Sequence, residues 1–322
     1  MILSGSAVVL LVGLLSAAYI ISNLDRVNTD DAYVTGRIHS IASKVPGTVK
    51  VVHVSDNQGI KKGDVLLEID PVDYEVRVKE AQAALDAEKA RYLDAQASIK
   101  TAMANLELQE VSFNQAALDK KRAEALYKEN VISKEKHEKT LTAYDMAAAQ
   151  VKAAGEQLQK ARSLRVLEQS LIRQKEAAVN IAQLNLSYTK IVAPTDGYVT
   201  SKSVETGNQI QAGQPLMAVV ALDDIWVVAN YKETQLKSVR PGQRALIKVD
   251  TYPGRIFNGK VDSIMAGTGA IFSLFPPENA LGNYVKVVQR IPVKIVFDKA
   301  TDERHILRIG MSCVPTIITD NE

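Results

Sequence analysis

The sequence predicts an α+β multidomain protein with an N-terminal transmembrane helix, a small β-barrel and a second β-domain that is split by a long antiparallel coiled-coil α-hairpin. Three observations support this prediction. Residues 2–24 carry no charged side chain, and residues 72–193 contain no proline but show a period of seven. Similar β-rich segments flank that helical stretch at a fixed offset of 150 residues.

Composition and charge restrict the class of protein. The chain has 322 residues, 46% hydrophobic and 24% charged, so it is neither disordered nor a protein of many membrane spans. Its 39 basic and 37 acidic residues nearly cancel, which gives no indication of a nucleic-acid partner. Cys313 is the only cysteine, and the four histidines have no metal-ligand spacing. We therefore expect no metal site and no enzyme that depends on Cys or His chemistry.

Residues 1–24 are predicted to anchor the chain in a membrane. No side chain from Ile2 to Leu24 is charged, and a helix of that length spans the roughly 30 Å hydrocarbon core of a bilayer. The alternative is a cleaved signal peptide, because Ser16-Ala17-Ala18 resembles a small-residue cleavage site. The length of the apolar run and the missing basic segment before it favour an uncleaved anchor with one span.

Residues 73–189 are predicted to form a helical hairpin. In the first half, large apolar residues recur every seven positions, and a mostly small residue lies three positions after each of them. The large residues are Val78, Leu85, Tyr92, Ile99, Leu106 and Phe113. A second frame of the same period runs from Tyr144 to Leu186 in a different register. Ser133 lies between the two frames and is a suitable N-cap for the second helix.

The two predicted helices, Asp73–Glu129 and Lys134–Thr189, are nearly equal in length. Each would be about 85 Å long at the rise of an α-helix, and a short turn between them would return the chain to its starting point. A parallel coiled-coil dimer is the alternative, since a heptad pattern alone does not fix orientation. The equal lengths and the flanking repeat favour the hairpin.

The segments on either side of the hairpin resemble each other. Residues 150 apart match at several glycine and apolar positions, and both segments are rich in β-branched residues and glycine turns. The matching pairs are Gly47/Gly197, Val49/Val199, Ile60/Ile210, Gly63/Gly213 and Leu66/Leu216. Each copy is too short to bury its own core, so we expect the two copies to pack together as one domain.

The C-terminal part predicts a small β-barrel. Short strands alternate with glycine and proline turns at regular spacing, and Ala32–Ile41 is expected to join them. The predicted strands are Trp226–Tyr231, Ala245–Val249, Gly259–Ile264, Val285–Val288 and Val293–Phe297. The paired carboxylates Asp30-Asp31 and Asp223-Asp224 are predicted to be turn and cap residues.

A split β-domain that contains a coiled-coil hairpin, behind one membrane anchor, resembles the membrane fusion protein, or periplasmic adaptor, family (HlyD/EmrA-like). The split domain itself resembles the lipoyl/biotinyl carrier fold, but neither Met-Lys-Met nor Asp-Lys-Ala is present. The resemblance implies a β-barrel from residues 25–41 and 223–322, and a lipoyl-like domain from residues 42–72 and 190–222. Residues 73–189 would be the hairpin.

Several longer stretches are similar to the EmrA-type multidrug efflux branch of this family. They are Thr29–Val34, Asn230–Leu236, Gly267–Leu274, Pro276–Asn283 and Lys286–Val293. Gly267, Thr268 and Gly269 do not form a phosphate loop, since no Gly-Lys-Ser/Thr follows. With Phe272 they are candidates for a barrel loop that faces a transporter.

Arg122, Leu126 and Ser133 fall at the hairpin turn with the spacing Arg-x3-Leu-x6-Ser. This spacing is similar to the tip motif by which adaptors engage a TolC-type outer-membrane channel. Arg122 and Leu126 lie four positions apart on one helical face, and Ser133 opens the next helix. The alternative is that Leu126 packs in the seam and Ser133 is only a cap.

The resemblance implies a non-enzymatic adaptor for drug efflux that needs no cofactor. It would be a single-pass inner-membrane protein, mostly periplasmic, that self-associates and links a major-facilitator-type drug transporter to a TolC-type channel. An adaptor for type I protein secretion is the alternative within transport. A third hypothesis is a biotin or lipoyl carrier component of an enzyme, which the missing lysine motif disfavours.

Overall fold

The computed structural model describes residues 26–269, 271, 288–298, 302 and 305–319. The chain divides into two compact units. One consists of Met1–Pro46, Val51–Leu67 and Ile191–Glu322, and the other of Gly47–Lys50 and Glu68–Lys190. The predicted membrane anchor, residues 1–24, lies outside the described residues. Among the helices that are described, none is long and apolar enough to span a bilayer.

The predicted hairpin is confirmed in the second unit. Helix α1 (Val72–Lys128) has 57 residues and helix α2 (Lys134–Ser187) has 54. At the root, the Ile69 amide donates a hydrogen bond of 2.8 Å to the Thr189 carbonyl oxygen. Farther along, the rings of Phe113 and Tyr144 lie 5.1 Å apart between centroids. These contacts pair the helices antiparallel within one chain, as the equal lengths of the two segments predict.

The seam between the helices follows the period of seven. Its most buried side chains are small or aliphatic, because the helices approach closely where alanines face each other. On α1 the buried residues are Tyr74, Leu85, Glu88, Ala95, Ala102 and Ala123. On α2 they are Ala147, Ala154, Leu158 and Val179. Glu88 is the charged member of this set, at a position where the neighbouring heptads carry alanine.

The described β strands are short at the repeat and longer in the barrel. In chain order they are β1 (Arg26–Asn28), β2 (Ala32–Ala42), β3 (Gly47–Val52), β4 (Gly59–Ile60), β5 (Val65–Ile69), β6 (Lys190–Val192), β7 (Gly197–Thr200), β8 (Gln209–Ile210), β9 (Pro215–Lys232), β10 (Arg244–Val249), β11 (Ile256–Ile264), β12 (Arg290–Phe297) and β13 (Cys313–Ile318). A 3₁₀ helix covers Glu233–Ser238. Strands β6, β5, β3 and β8 form one sheet in that order.

A closed barrel forms the core of the first unit. Antiparallel pairing runs β13-β10-β11-β12-β9, and β2 pairs with the other side of β9. Strand β2 closes the barrel by bonding to the segment that directly precedes β13. The Val34 amide donates to the Met311 carbonyl at 2.8 Å, and the Gly310 amide donates to the Val34 carbonyl at 2.8 Å. Alternate residues point inward and are buried, among them Val227, Ala229, Tyr231, Ile247, Phe257, Val293, Ile295 and Ile317.

The repeat at an offset of 150 residues is a structural repeat. Gly63 and Gly213 both have positive φ, at 92° and 81°. The Gly63 amide donates to the Ala193 carbonyl at 2.9 Å, and the Gly213 amide donates to the Ser43 carbonyl at 2.7 Å. Each copy therefore hydrogen-bonds to the start of the other copy, which explains why neither is expected to fold alone.

The prediction that Asp223 and Asp224 are turn or cap residues is wrong, because both lie inside strand β9. The register of β2 against β9 shifts between Gly36 and Ile38, and this bulge leaves the two carboxylates exposed beside the ladder. Arg37 Nε lies 2.6 Å from the carboxylate of Asp224, and His305 Nδ1 lies 3.2 Å from that of Asp223.

One strand was missed by the sequence prediction, and one predicted strand is not tested. Strand β13 was not predicted, although Cys313 and Ile317 are buried in the barrel. In the predicted strand Val285–Val288, all but Val288 lies outside the described residues. The boundary predicted between residues 222 and 223 falls within strand β9. The division into a barrel domain and a lipoyl-like domain stays a prediction.

Candidate functional site

The hairpin turn, residues 129–133, has a defined backbone geometry. Asn130 has a φ of 58°, a left-handed conformation that asparagine tolerates better than most residues. The Asn130 amide donates to the Tyr127 carbonyl at 2.9 Å, and the Val131 amide donates to the Leu126 carbonyl at 2.9 Å. This pair of bonds is a Schellman motif, which satisfies the last carbonyls of α1 and reverses the chain.

The second helix starts at a side-chain cap. Ser133 has extended backbone angles, and its Oγ accepts a hydrogen bond of 3.3 Å from the Lys136 amide. This confirms Ser133 as the predicted N-cap. The rings of Tyr127 and His137 stack across the turn, with centroids 4.6 Å apart and planes within 13°. The stack and the two caps hold the ends of both helices in one arrangement.

A groove of about 610 Å³ lies between the helices next to the turn. Arg122, Leu126 and Ile132 are among its lining residues, together with the acidic Asp119 and the basic Lys136 and Lys139. Leu126 is 40% exposed, and Val131 in the turn is 63% exposed. The tip therefore presents apolar side chains to solvent, bordered by more basic than acidic groups.

The structure brings two of the three predicted tip residues together. Arg122 and Leu126 line the same groove, and Arg122 Nη1 lies 3.2 Å from Asp119 Oδ1. Ser133 does not line that groove, and its side chain caps α2. The sequence prediction did not include the left-handed conformation of Asn130 or the stack of Tyr127 on His137. An asparagine directly after a long helix is the signal that could have identified the Schellman motif.

The candidate loop of the barrel is described in part. Gly267, Thr268 and Gly269 follow strand β11, and the Gly269 amide donates to the Arg290 carbonyl at 3.2 Å. Ile271 is 72% exposed. Phe272 lies outside the described residues. The loop thus starts with a hydrogen bond to strand β12 and carries an exposed apolar side chain.

Most of the chain matches domains of known protein families. Residues 37–222 match the barrel-sandwich hybrid domain of RND membrane fusion proteins. The chain belongs to the membrane fusion protein family. Residues 224–270 match a CusB-like β-barrel domain, in agreement with the barrel strands described above. The predicted family is therefore confirmed.

Individual relatives agree with this assignment. The fatty acid resistance protein FarA of Neisseria gonorrhoeae is 39% identical over 297 residues, which cover 90% of this chain and 75% of FarA. The multidrug export protein EmrA of Escherichia coli is 37% identical over 298 residues, 91% of this chain and 76% of EmrA. The crystal structure of MacA from Actinobacillus actinomycetemcomitans shares the fold, with a TM-score of 0.62 and 24% identity over 91% of this chain and 80% of that one.

Membrane fusion proteins are adaptors and not enzymes. Over the part of the chain that the structure describes, no group of three or more His, Cys, Asp or Glu side chains could hold a metal ion. The candidate site in the described residues is a surface at the end of the hairpin. It consists of a stiff hairpin tip with a groove and exposed apolar residues, and such features serve protein–protein contact.

Proposed function

We propose that this membrane fusion protein is the periplasmic adaptor of a tripartite multidrug efflux system. In this proposal it links an inner-membrane, proton-coupled major-facilitator transporter to a TolC-type outer-membrane channel. The observation that carries the proposal is the capped hairpin tip, with its groove and exposed Leu126, in a chain similar to the multidrug export protein EmrA.

The geometry of the hairpin supports this role. A helix of 57 residues is about 85 Å long, so the tip can contact a partner far from the root. The Schellman motif and the Ser133 cap fix the turn, so little conformational entropy is lost when the tip binds. Leu126 and Val131 provide apolar area, and Arg122 provides a charge that could pair with an acidic group on the channel.

The N-terminal segment and the barrel would face the membrane and the transporter. Residues 1–24 would form the single inner-membrane span, and most of the remaining chain would lie in the periplasm. Residues 25–41 and 223–322 would form the barrel domain. The loop with Gly267, Thr268, Gly269 and Phe272 would contact the transporter, which is supported by the exposed Ile271 in the same loop.

The names of the relatives favour small hydrophobic cargo. EmrA is a multidrug export protein and FarA is a fatty acid resistance protein. A system that exports such molecules fits this chain better than one that secretes proteins. We expect several copies of the adaptor to self-associate around the path of the cargo.

The proposal is tested by changing the tip and measuring drug resistance. Leu126→Ser and Arg122→Asp should each reduce resistance to the level of a strain that lacks the adaptor, because the apolar and charged contacts are lost. The matched controls are Leu108→Ser and Arg162→Asp, which change exposed side chains of the same types on the hairpin but outside the groove.

All four variants should reach the membrane in amounts equal to the wild type. Resistance at the wild-type level in both tip variants would rule out the tip as the contact. Equal loss in the tip and control variants would show that the whole hairpin surface matters, and would equally contradict the assignment of Arg122 and Leu126.

A further inference from the structure

A buried charged layer interrupts the alanine-rich seam of the hairpin. Glu88 is only 3% exposed and occupies a seam position where the neighbouring heptads carry Ala81 and Ala95. Across from it, α2 places Arg165 and Glu168 at its own seam positions, where residues seven earlier are an aliphatic Leu158 and a small Ala161. The Glu88 and Glu168 side chains interact across the seam, where the Glu88 carboxyl group raises the pKa of Glu168.

Three polar atoms of this layer are buried and make no hydrogen bond to the described residues. They are Glu88 Oε1, Glu168 Oε2 and Arg165 Nε. The other oxygen of Glu88, Oε2, lies 3.3 Å from Arg91 Nη1. Two facing carboxylates, each with an unpaired buried oxygen, are costly if both are ionised, because they repel each other and lack water.

A single proton removes this cost. If Glu168 is protonated, its hydroxyl can donate to the Glu88 carboxylate, and the two unpaired carboxyl oxygens satisfy each other. We propose that Glu88 and Glu168 share one proton in the folded hairpin, so that the seam is more stable in mild acid than at neutral pH. The pair takes up this proton from water as the hairpin closes and releases it to water when it ionises.

Charged groups from both helices act on the pKa of Glu168. The hydrogen bond to Glu88, burial and the negative charge of Glu88 all raise the pKa of Glu168, whereas Arg91 lowers it, and the pKa of Glu168 is raised overall. The Arg91 side chain is mostly exposed, so water screens its charge. Arg165 would favour two ionised carboxylates if it bonded them, but its Nε has no partner in the described part of the chain.

The direction of the pH effect follows from the raised pKa. The protonated pair stabilises the folded hairpin fully below the ordinary glutamate pKa of about 4.3, and this contribution is lost as the pH rises through the raised value. Most proteins gain stability over this range as their carboxylates ionise. The layer therefore makes the hairpin less stable as the pH rises, which is the opposite of the usual trend. This effect does not depend on the partners proposed for the adaptor.

Thermal unfolding of the full chain in detergent, followed by circular dichroism at the helical band, tests the proposal. The wild type should melt at a lower temperature at about pH 7.5 than at about pH 5, because the shared proton is lost as the pH rises through the raised pKa. Glu168→Gln keeps a neutral donor in place at every pH, so its melting temperature should not fall between about pH 5 and about pH 7.5 as that of the wild type does. The control Glu176→Gln alters an exposed glutamate of the same helix and should keep the wild-type dependence.

A second measurement covers the case in which a variant fails to fold. Infrared difference spectra at a pH above the ordinary glutamate range should show the carbonyl stretch of a protonated carboxyl in the wild type, and this band should be absent from both Glu168→Gln and Glu88→Gln. Glu176→Gln should retain it. An unchanged pH dependence of melting in Glu168→Gln, or a wild type without the band, would overturn the proposal.

Discussion

Gly197 and Gly155 show, at the scale of single residues, that the same residue type can be required at one position and costly at another. A Cβ on Gly197 would clash with the Val220 carbonyl oxygen of the next strand. Gly155 lies inside helix α2, and a Cβ there would meet nothing within 4 Å. The first glycine permits close backbone packing, whereas the second only weakens a helix.

The two glycines therefore predict opposite effects of the same substitution. Gly197→Ala should destabilise its unit by about 1–3 kcal/mol, because backbone cannot move aside as a side chain can. Gly155→Ala should stabilise the hairpin by about 0.5–1 kcal/mol through helix propensity. Urea unfolding of each variant measures both values. A stabilised Gly197→Ala would show that the close contact with Val220 does not exist.

Cys313 offers a second test at this scale. Its side chain is buried in the barrel, and burial raises its pKa to about 12. Since the reactive form is the thiolate, the folded protein should not react with a thiol reagent at about pH 8, and unfolding should release one reactive thiol per chain. Rapid labelling of the folded protein would contradict the position of strand β13.

At the scale of secondary-structure elements, the heptad pattern predicts which side chains lie between the two helices of the hairpin. Leu106 lies in the seam and Leu108, two residues later, is 61% exposed. Leu106→Asp should destabilise the hairpin by about 2–5 kcal/mol, because it removes apolar packing and places a charge between the helices. Leu108→Asp, the control, should change stability by less than about 0.5 kcal/mol.

Melting at the helical band and limited proteolysis within residues 73–186 measure this difference, and the barrel should stay folded in both variants. Equal melting temperatures for the two variants would show that the seam register is wrong. The test is sharp because both substitutions are identical in chemistry and only two residues apart.

The hairpin could be predicted from the sequence because its determinants are local. A period of seven and the Ser133 cap each depend on residues close in the chain. Strand β9 could not be predicted across Asp223 and Asp224, because their side chains pair with Arg37 and His305, which are distant in sequence. Burial of Cys313 likewise depends on strand pairings that no local pattern reveals.

The candidate site was predictable in part for the same reason. Spacing alone indicates that Arg122 and Leu126 share a helical face near the turn. It does not indicate that Arg122 is held by Asp119, or that Tyr127 stacks on His137 across the turn. These contacts depend on side-chain conformations at the point where two helices meet.

At the scale of the whole molecule, two kinds of structure are combined in one chain. The barrel and the duplicated segments are held by pairings between residues far apart in sequence, such as Gly63 with Ala193. The hairpin instead depends on one long contact between consecutive helices. Substitutions at the hairpin tip should therefore leave the pairings of the barrel strands unchanged.

Contact between the hairpin tip and an outer-membrane channel is tested most directly by photo-crosslinking in living cells. A photoreactive amino acid is placed at Val131, which lies in the turn and is exposed, or at Leu108 on the hairpin surface as the control. Both variants should retain drug resistance. We predict a product of the adaptor with a TolC-type channel from position 131 and none from position 108. If position 131 gives no product with the channel in cells that still export the drug, the hairpin tip does not contact the channel.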